Sequence, residues 1–128
     1  MRGKIAIILL CAALGGCETV HNFVYGPPKF IVFFPEKSAD LTPDGAAIVK
    51  TAAAAIHNQH PATVQIAAGV APGGNMEMAA PRFAAVRQAL VDDGVAQDII
   101  ARSAIPDPQL DQGPARQRVE IRLLSKAP

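Results

Sequence analysis

The chain has 128 residues, with 12 Lys and Arg against 11 Asp and Glu and a formal net charge of +1. A balance this close to neutral removes the electrostatic basis for nucleic-acid binding. The only two cysteines are Cys11 and Cys17, so the chain beyond them can hold neither an internal disulfide nor a thiolate-rich metal site.

The N-terminus reads as a secretory leader. Arg2 and Lys4 form a short basic region, Ile5 to Ala13 an uncharged apolar run, and Leu14-Gly15-Gly16 a small-residue cleavage site. The apolar run is too short to cross a bilayer core of about 30 Å as a helix, which assigns it to a cleaved signal spanning residues 1–16. Cys17 directly after the small residues is the lipobox arrangement, whose free thiol receives diacylglycerol. The expectation is an anchored, not a spanning, protein. Residues 17–28 are a lipidated tether, closed by Gly26-Pro27-Pro28. What remains, residues 29–128, suits one domain with an ordinary apolar core.

In that domain, Lys29 to Phe34 is rich in β-formers and reads as a first strand. Thr42-Pro43-Asp44 signals a helix start, with Thr42 as cap, Pro43 in the first turn and Asp44 at the positive end of the dipole. Ile48, Ala52, Ala55 and Ile56 recur at helical spacing and predict its buried face, and Pro61 ends it. Thr63 to Ala67 alternates as a second strand. A second helix is expected over roughly Ala80 to Asp93, with Phe83, Val86 and Leu90 inward and Gly94 as its C-cap. Ile99 to Ile105 is a third strand. Arg118 to Leu124 is the last, with Val119, Ile121 and Leu123 facing in and Glu120 and Arg122 facing out. The predicted fold class is α+β: a β-α-β-α-β-β sandwich with two helices on one face of a mixed four-stranded sheet.

Three stretches resemble a known family in its own order. Phe33-Phe34 followed by Ser38-Ala39-Asp40-Leu41-Thr42-Pro43-Asp44-Gly45 is similar to the opening of the OmpA-like C-terminal domain. Asn75, Met78, Arg82, Val86, Leu90, Gly94 and Val95 keep the spacing of that family's second-helix signature, N-x-x-L-S-x-x-R-A-x-x-V-x-x-x-L-x-x-x-G-V. Arg116 to Ile121 resembles its closing strand, N-R-R-V-E-I. The matches span residues 30–124.

The resemblance implies non-covalent binding of peptidoglycan through the diaminopimelate of its stem peptide. A zwitterion of that kind needs a fixed cation, an anion and backbone donors. The family's cation, an arginine early in the second helix, falls on Arg82, whose planar fork can grip a carboxylate with two bonds. Asn75 and Arg118 complete the expected ligand-binding set. The family's ammonium-binding aspartate falls on Ala71, within Ala68-Gly69-Val70-Ala71, and the loop Pro72-Gly73-Gly74 is shorter than the family's. Ala79 replaces the family's helix-capping serine, and Glu77 is a candidate substitute anion. Two functions therefore stand side by side. One is an outer-membrane lipoprotein that tethers the membrane to the wall. The other is an OmpA-like scaffold that has lost the wall and contacts another envelope protein.

Other constellations carry less. His57 and His60 stand three apart near a helix end, but no cysteine or carboxylate cluster accompanies them, so no metal site is expected. Ser103 and Ser125 lack a partner histidine and acid at any recognisable motif, and no carboxylate pair is placed for sugar hydrolysis. Neither an enzyme nor a cofactor is expected. Glu18 after Cys17 is not the aspartate of the inner-membrane retention signal, which makes the periplasmic face of the outer membrane the expected location. A Cys17→Ser chain is expected to leave the membrane fraction and to lack acyl chains by mass spectrometry. An unmodified Cys17, or a mature N-terminus elsewhere, would refute the lipobox reading.

Overall fold

The computed structural model describes residues 26–70, 77–105 and 117–126. The leader, Cys17, most of the tether, Ala71 and Asn75 lie outside the described residues. Strand β1 (Lys29–Phe33) leads to helix α1 (Pro43–Gln59), strand β2 (Thr63–Val70), helix α2 (Ala79–Asp92), strand β3 (Ile100–Ile105) and strand β4 (Arg118–Leu124). A 3₁₀ turn, Gln97–Ile99, precedes β3 and starts that strand one residue later than predicted. No helix among the described residues is long and apolar enough to cross a membrane.

The sheet order is β1-β4-β2-β3. β4 pairs antiparallel with β1 and with β2, whereas β2 and β3 are parallel. Parallel neighbours need a long crossover, and α2 supplies it. The fold is thus the expected α+β sandwich, with α1 against β1 and α2 against β2.

Period-2 alternation sorts each strand between the two faces. Val32 of β1, Val64, Ile66 and Ala68 of β2, and Val119, Ile121 and Leu123 of β4 are buried in one cluster with Val49, Ala52, Ala53 and Ile56 of α1 and Val86 and Leu90 of α2. The α1 face is turned slightly from the predicted one: Val49 and Ala53 are fully inside, whereas Ile48 and Ala55 are half-buried at its rim. The reason is close approach at the helix start. Gly45 is buried, and a Cβ there would lie 3.2 Å from Val32 Cγ1. That contact brings Gly45, Val49, Ala52, Ala53 and Ile56 to the sheet. Phe83 is likewise half-buried against the core, and its ring receives the guanidinium of Arg102 at 5.5 Å. The inward place it was assigned is taken by Arg82.

Helix ends follow the local sequence. Thr42 Oγ1 accepts from the Gly45 amide at 3.0 Å, with Pro43 at the first position. α1 closes on His60 in the left-handed region (φ 49°), just before Pro61. α2 closes in a Schellman motif: Gly94 (φ 90°) donates to Val91 O and Val95 to Leu90 O. The exposed His57 joins the two helix ends, its Nε2 lying 3.1 Å from Asp93 O.

Leu90 is fully buried on α2. Leu90→Ala should cost about 2–5 kcal/mol, read as a lowered denaturation midpoint with an unchanged slope. A loss under ~0.5 kcal/mol would contradict the placement of this helix face.

Candidate functional site

The register brings the two described residues of the predicted site, Arg82 and Arg118, to one end of the sheet. β1, β2 and β3 run parallel to each other and finish there, and β4 starts there, with Phe33 opposite Arg118 and Ala68 opposite Val119. α2 begins at the same end, because Arg82 in its first turn reaches the segment that follows β1.

That segment is a tight turn. Ser38 N donates to Pro35 O at 3.2 Å, and Lys37 sits at φ 55°, a place that favours glycine. Arg82 braces it from both sides. Its Nε donates to Ser38 O at 2.8 Å and its Nη2 to Pro35 O at 3.1 Å. The guanidinium carbon stands 5.4 Å over the centre of the Phe34 ring, a cation–π contact on the helix side of the sheet. Arg82 is only 3% exposed. Burial lowers its pKa from the ordinary value, and no carboxylate is paired with it among the described residues. A guanidinium keeps its proton at neutral pH regardless. Three of its five N–H groups have no bond among the described residues. They form the far end of the fork, Nη1 and the second hydrogen of Nη2, and can take a carboxylate end-on.

The α2 N-terminus adds to this field. Met78 is its cap residue and makes no side-chain cap bond, as the loss of serine at Ala79 implies. Pro81 has no N–H, and the Arg82 amide already closes on Met78 O. Glu77, exposed just before the helix, makes no ion pair among the described residues.

Arg118 is at the same end but on the opposite face. Lys29, Ile31 and Phe33 of β1 share this helix-free face with Arg118, Glu120 and Arg122 of β4 and with Gln65 and Ala67 of β2. The sheet therefore separates Arg118 from Arg82, and the two predicted contacts do not converge on one pocket. Arg118 Nε donates to Glu120 Oε1 at 3.0 Å, and Arg122 Nε to Oε2 at 2.9 Å, with Arg122 Nη2 closing a second bond to Oε2. Glu120, expected to face solvent, is 4% exposed. The alternation was right about its face. Two flanking arginine stems, plus Ala67 across the strand pair, are what bury it.

His57 and His60 line a cavity of about 230 Å³ at the far end with Ile56, Pro61, Val95 and Ile99. No group of three or more His, Cys, Asp or Glu able to hold a metal is found among the described residues.

Neither a family model nor a curated protein matches the sequence. The similarity is structural. The OmpA-like domain of FopA1 from Francisella tularensis superposes with a TM-score of 0.63 at 18% identity, covering 78% of this chain and 75% of that one. The periplasmic domain of Helicobacter pylori MotB gives 0.57 at 20%, covering 75% and 71%. The peptidoglycan-associated lipoprotein from Burkholderia pseudomallei gives 0.56 at 19%, covering 74% and 88%. The chain has the fold of the OmpA-like domain. Its buried arginine lies in the first turn of α2, where the sequence resemblance placed it.

Missed in the sequence were the carbonyl partners of Arg82 and the burial of Glu120. The second had a signal: Arg118-x-Glu120-x-Arg122 puts three charges on one face of a strand at period 2. For Glu120, burial pushes the carboxyl pKa up, but hydrogen bonds from Arg122 and then Arg118, reinforced by their charges, outweigh it and hold the group below its ordinary value. A depressed folded-state pKa means stability that is present above the unfolded pKa and fades as pH falls through the folded one. Glu120→Gln should therefore cost about 1–3 kcal/mol at neutral pH. The difference from wild type should shrink in urea titrations run at increasingly acid pH. A pH-independent difference would show that packing, not charge, is what the carboxylate supplies.

Proposed function

We propose that this protein is an envelope lipoprotein, held to the outer membrane through Cys17, whose OmpA-like domain binds peptidoglycan on the periplasmic side. The observation that carries the reading is Arg82. It is a buried cation without a carboxylate partner among the described residues, clamped by two carbonyls, with the other three N–H groups of its fork unbonded among those residues. A guanidinium fixed in this way loses little freedom on gripping a carboxylate, which favours a ligand such as the diaminopimelate stem peptide. One structural neighbour, from Burkholderia pseudomallei, is itself a peptidoglycan-associated lipoprotein. The basic n-region, apolar run and Leu14-Gly15-Gly16-Cys17 support the anchor. Asn75 is proposed as a further ligand contact. Arg118, on the other face, has the role of holding β4 and Glu120.

A second reading rests on Ala71. Without a carboxylate there, the ammonium of the ligand lacks its counter-charge, and an OmpA-like scaffold that contacts another envelope protein becomes the alternative. Losing one charge-assisted contact of about 1.5–3 kcal/mol weakens binding roughly ten- to a hundredfold.

Titration calorimetry with a diaminopimelate-containing muropeptide tests the choice. Wild type should bind weakly, and Ala71→Asp should bind more tightly. Arg82→Lys keeps a charge but loses the fork, and should remove most of the heat while circular dichroism stays native. Arg82→Ala should lose binding too, and stability with it, because the Pro35–Ser38 turn loses its brace. If wild type gives no heat and no murein pull-down, the wall-binding reading fails and the scaffold reading stands.

A further inference from the structure

We propose that β1 is a self-complementary edge through which two copies of this chain join their sheets antiparallel. β1 lies at the end of the strand order, and among the described residues only β4 pairs with it. Phe34 N bonds to Gln117 O, and Leu123 N to Pro28 O. Antiparallel pairs alternate between bonded and non-bonded positions, so the even residues Pro28, Phe30, Val32 and Phe34 point their backbone groups at β4. The odd residues Lys29, Ile31 and Phe33 point theirs outward.

Natural edges are blunted by charge, proline or a bulge in mid-strand. β3, the other edge, carries Arg102 at its centre, and its pairing with β2 is irregular between Ala67 and Val70. β1 has no such device: its sequence is KFIVF, with one charge at the first position. Phe33 on this strand is 52% exposed and is the exposed large hydrophobic among the described residues.

The side chains say which partner fits. A two-fold axis through Ile31, perpendicular to the sheet, sets Ile31 opposite Ile31 of the second copy, Lys29 opposite Phe33, and Phe33 opposite Lys29. All three are odd residues, so every outward backbone group finds a partner in this register. On the helix-free face each exposed ring then lies against the stem and ammonium of a lysine, a cation–π pairing made twice by symmetry. On the helix side Phe30 meets Val32. Axes through Phe30 or Val32 keep the backbone parity but part Lys29 from Phe33, and a pairing shifted by a single residue turns every side chain to the wrong face.

The test is thiol trapping in a full chain carrying Cys11→Ser and Cys17→Ser. Ile31→Cys would stand about 5.5 Å from its symmetry mate, Cα to Cα. A short bis-maleimide should cross-link it several-fold faster than Ala101→Cys, which is on the same face at the opposite edge. Adding Phe33→Lys sets like charges opposite each other and should reduce the rate to that of the Ala101→Cys control. Adding Lys29→Glu to that chain should restore it. Equal rates for the two cysteine positions, or a Phe33→Lys chain that traps as fast as its parent, would overturn the proposal. Lys29 and Phe33 are both exposed, so circular dichroism should be unchanged throughout.

Discussion

The structure depends on β4 entering the middle of the sheet. It is the last of the described elements, yet it bonds to β1 on one side and β2 on the other. Without it, β1 would have no strand neighbour among the described residues, and the described strands β2 and β3 would be left as a parallel pair. Val119, Ile121 and Leu123 fill the centre of the core from this strand, and their alternates, Arg118, Glu120 and Arg122, tie the opposite face together. One strand thus supplies both the apolar layer under the helices and the ionic ladder on the outside. The ladder's energetic standing is modest. A buried ion pair mostly offsets its own desolvation, and its value shows when one member is removed.

Arg82 has a comparable double role. A guanidinium this buried is costly unless its donors are satisfied. The turn between β1 and α1 satisfies part of that demand, and in return is braced in a conformation that Lys37 would not favour alone. The remaining three N–H groups have no bond among the described residues. The residue that braces the turn is also the one proposed to offer a charge, so under that proposal substitutions there affect stability and recognition together.

Much of this was legible from residues alone. The helix caps at Thr42 and Gly94 were readable because capping is local chemistry. The boundaries of β4 were readable because its alternation is regular. The strands and helices appeared in the expected order for the same reasons. What could not be read was contact across the chain. Gly45 against Val32 rotates α1, and nothing near Gly45 announces it. The carbonyls of Pro35 and Ser38 carry no side-chain signature, so Arg82 looked like an open ligand contact and proved partly engaged. Arg118 and Arg82 were grouped by motif, whereas the sheet places them on opposite sides.

Among the described residues β1 pairs only with β4, which has a consequence for how the chain assembles. A polypeptide emerging from its N-terminus presents the KFIVF segment well before its partner strand, with every other described element in between. Closing that long loop is entropically slow, and contact order of this kind delays folding. Throughout the interval α1, β2, α2 and β3 can associate locally, while β1 has both edges bare and a strongly apolar face. During synthesis, then, the most aggregation-prone strand waits longest for cover, and any factor that shields extended apolar segments would find its strongest handle there.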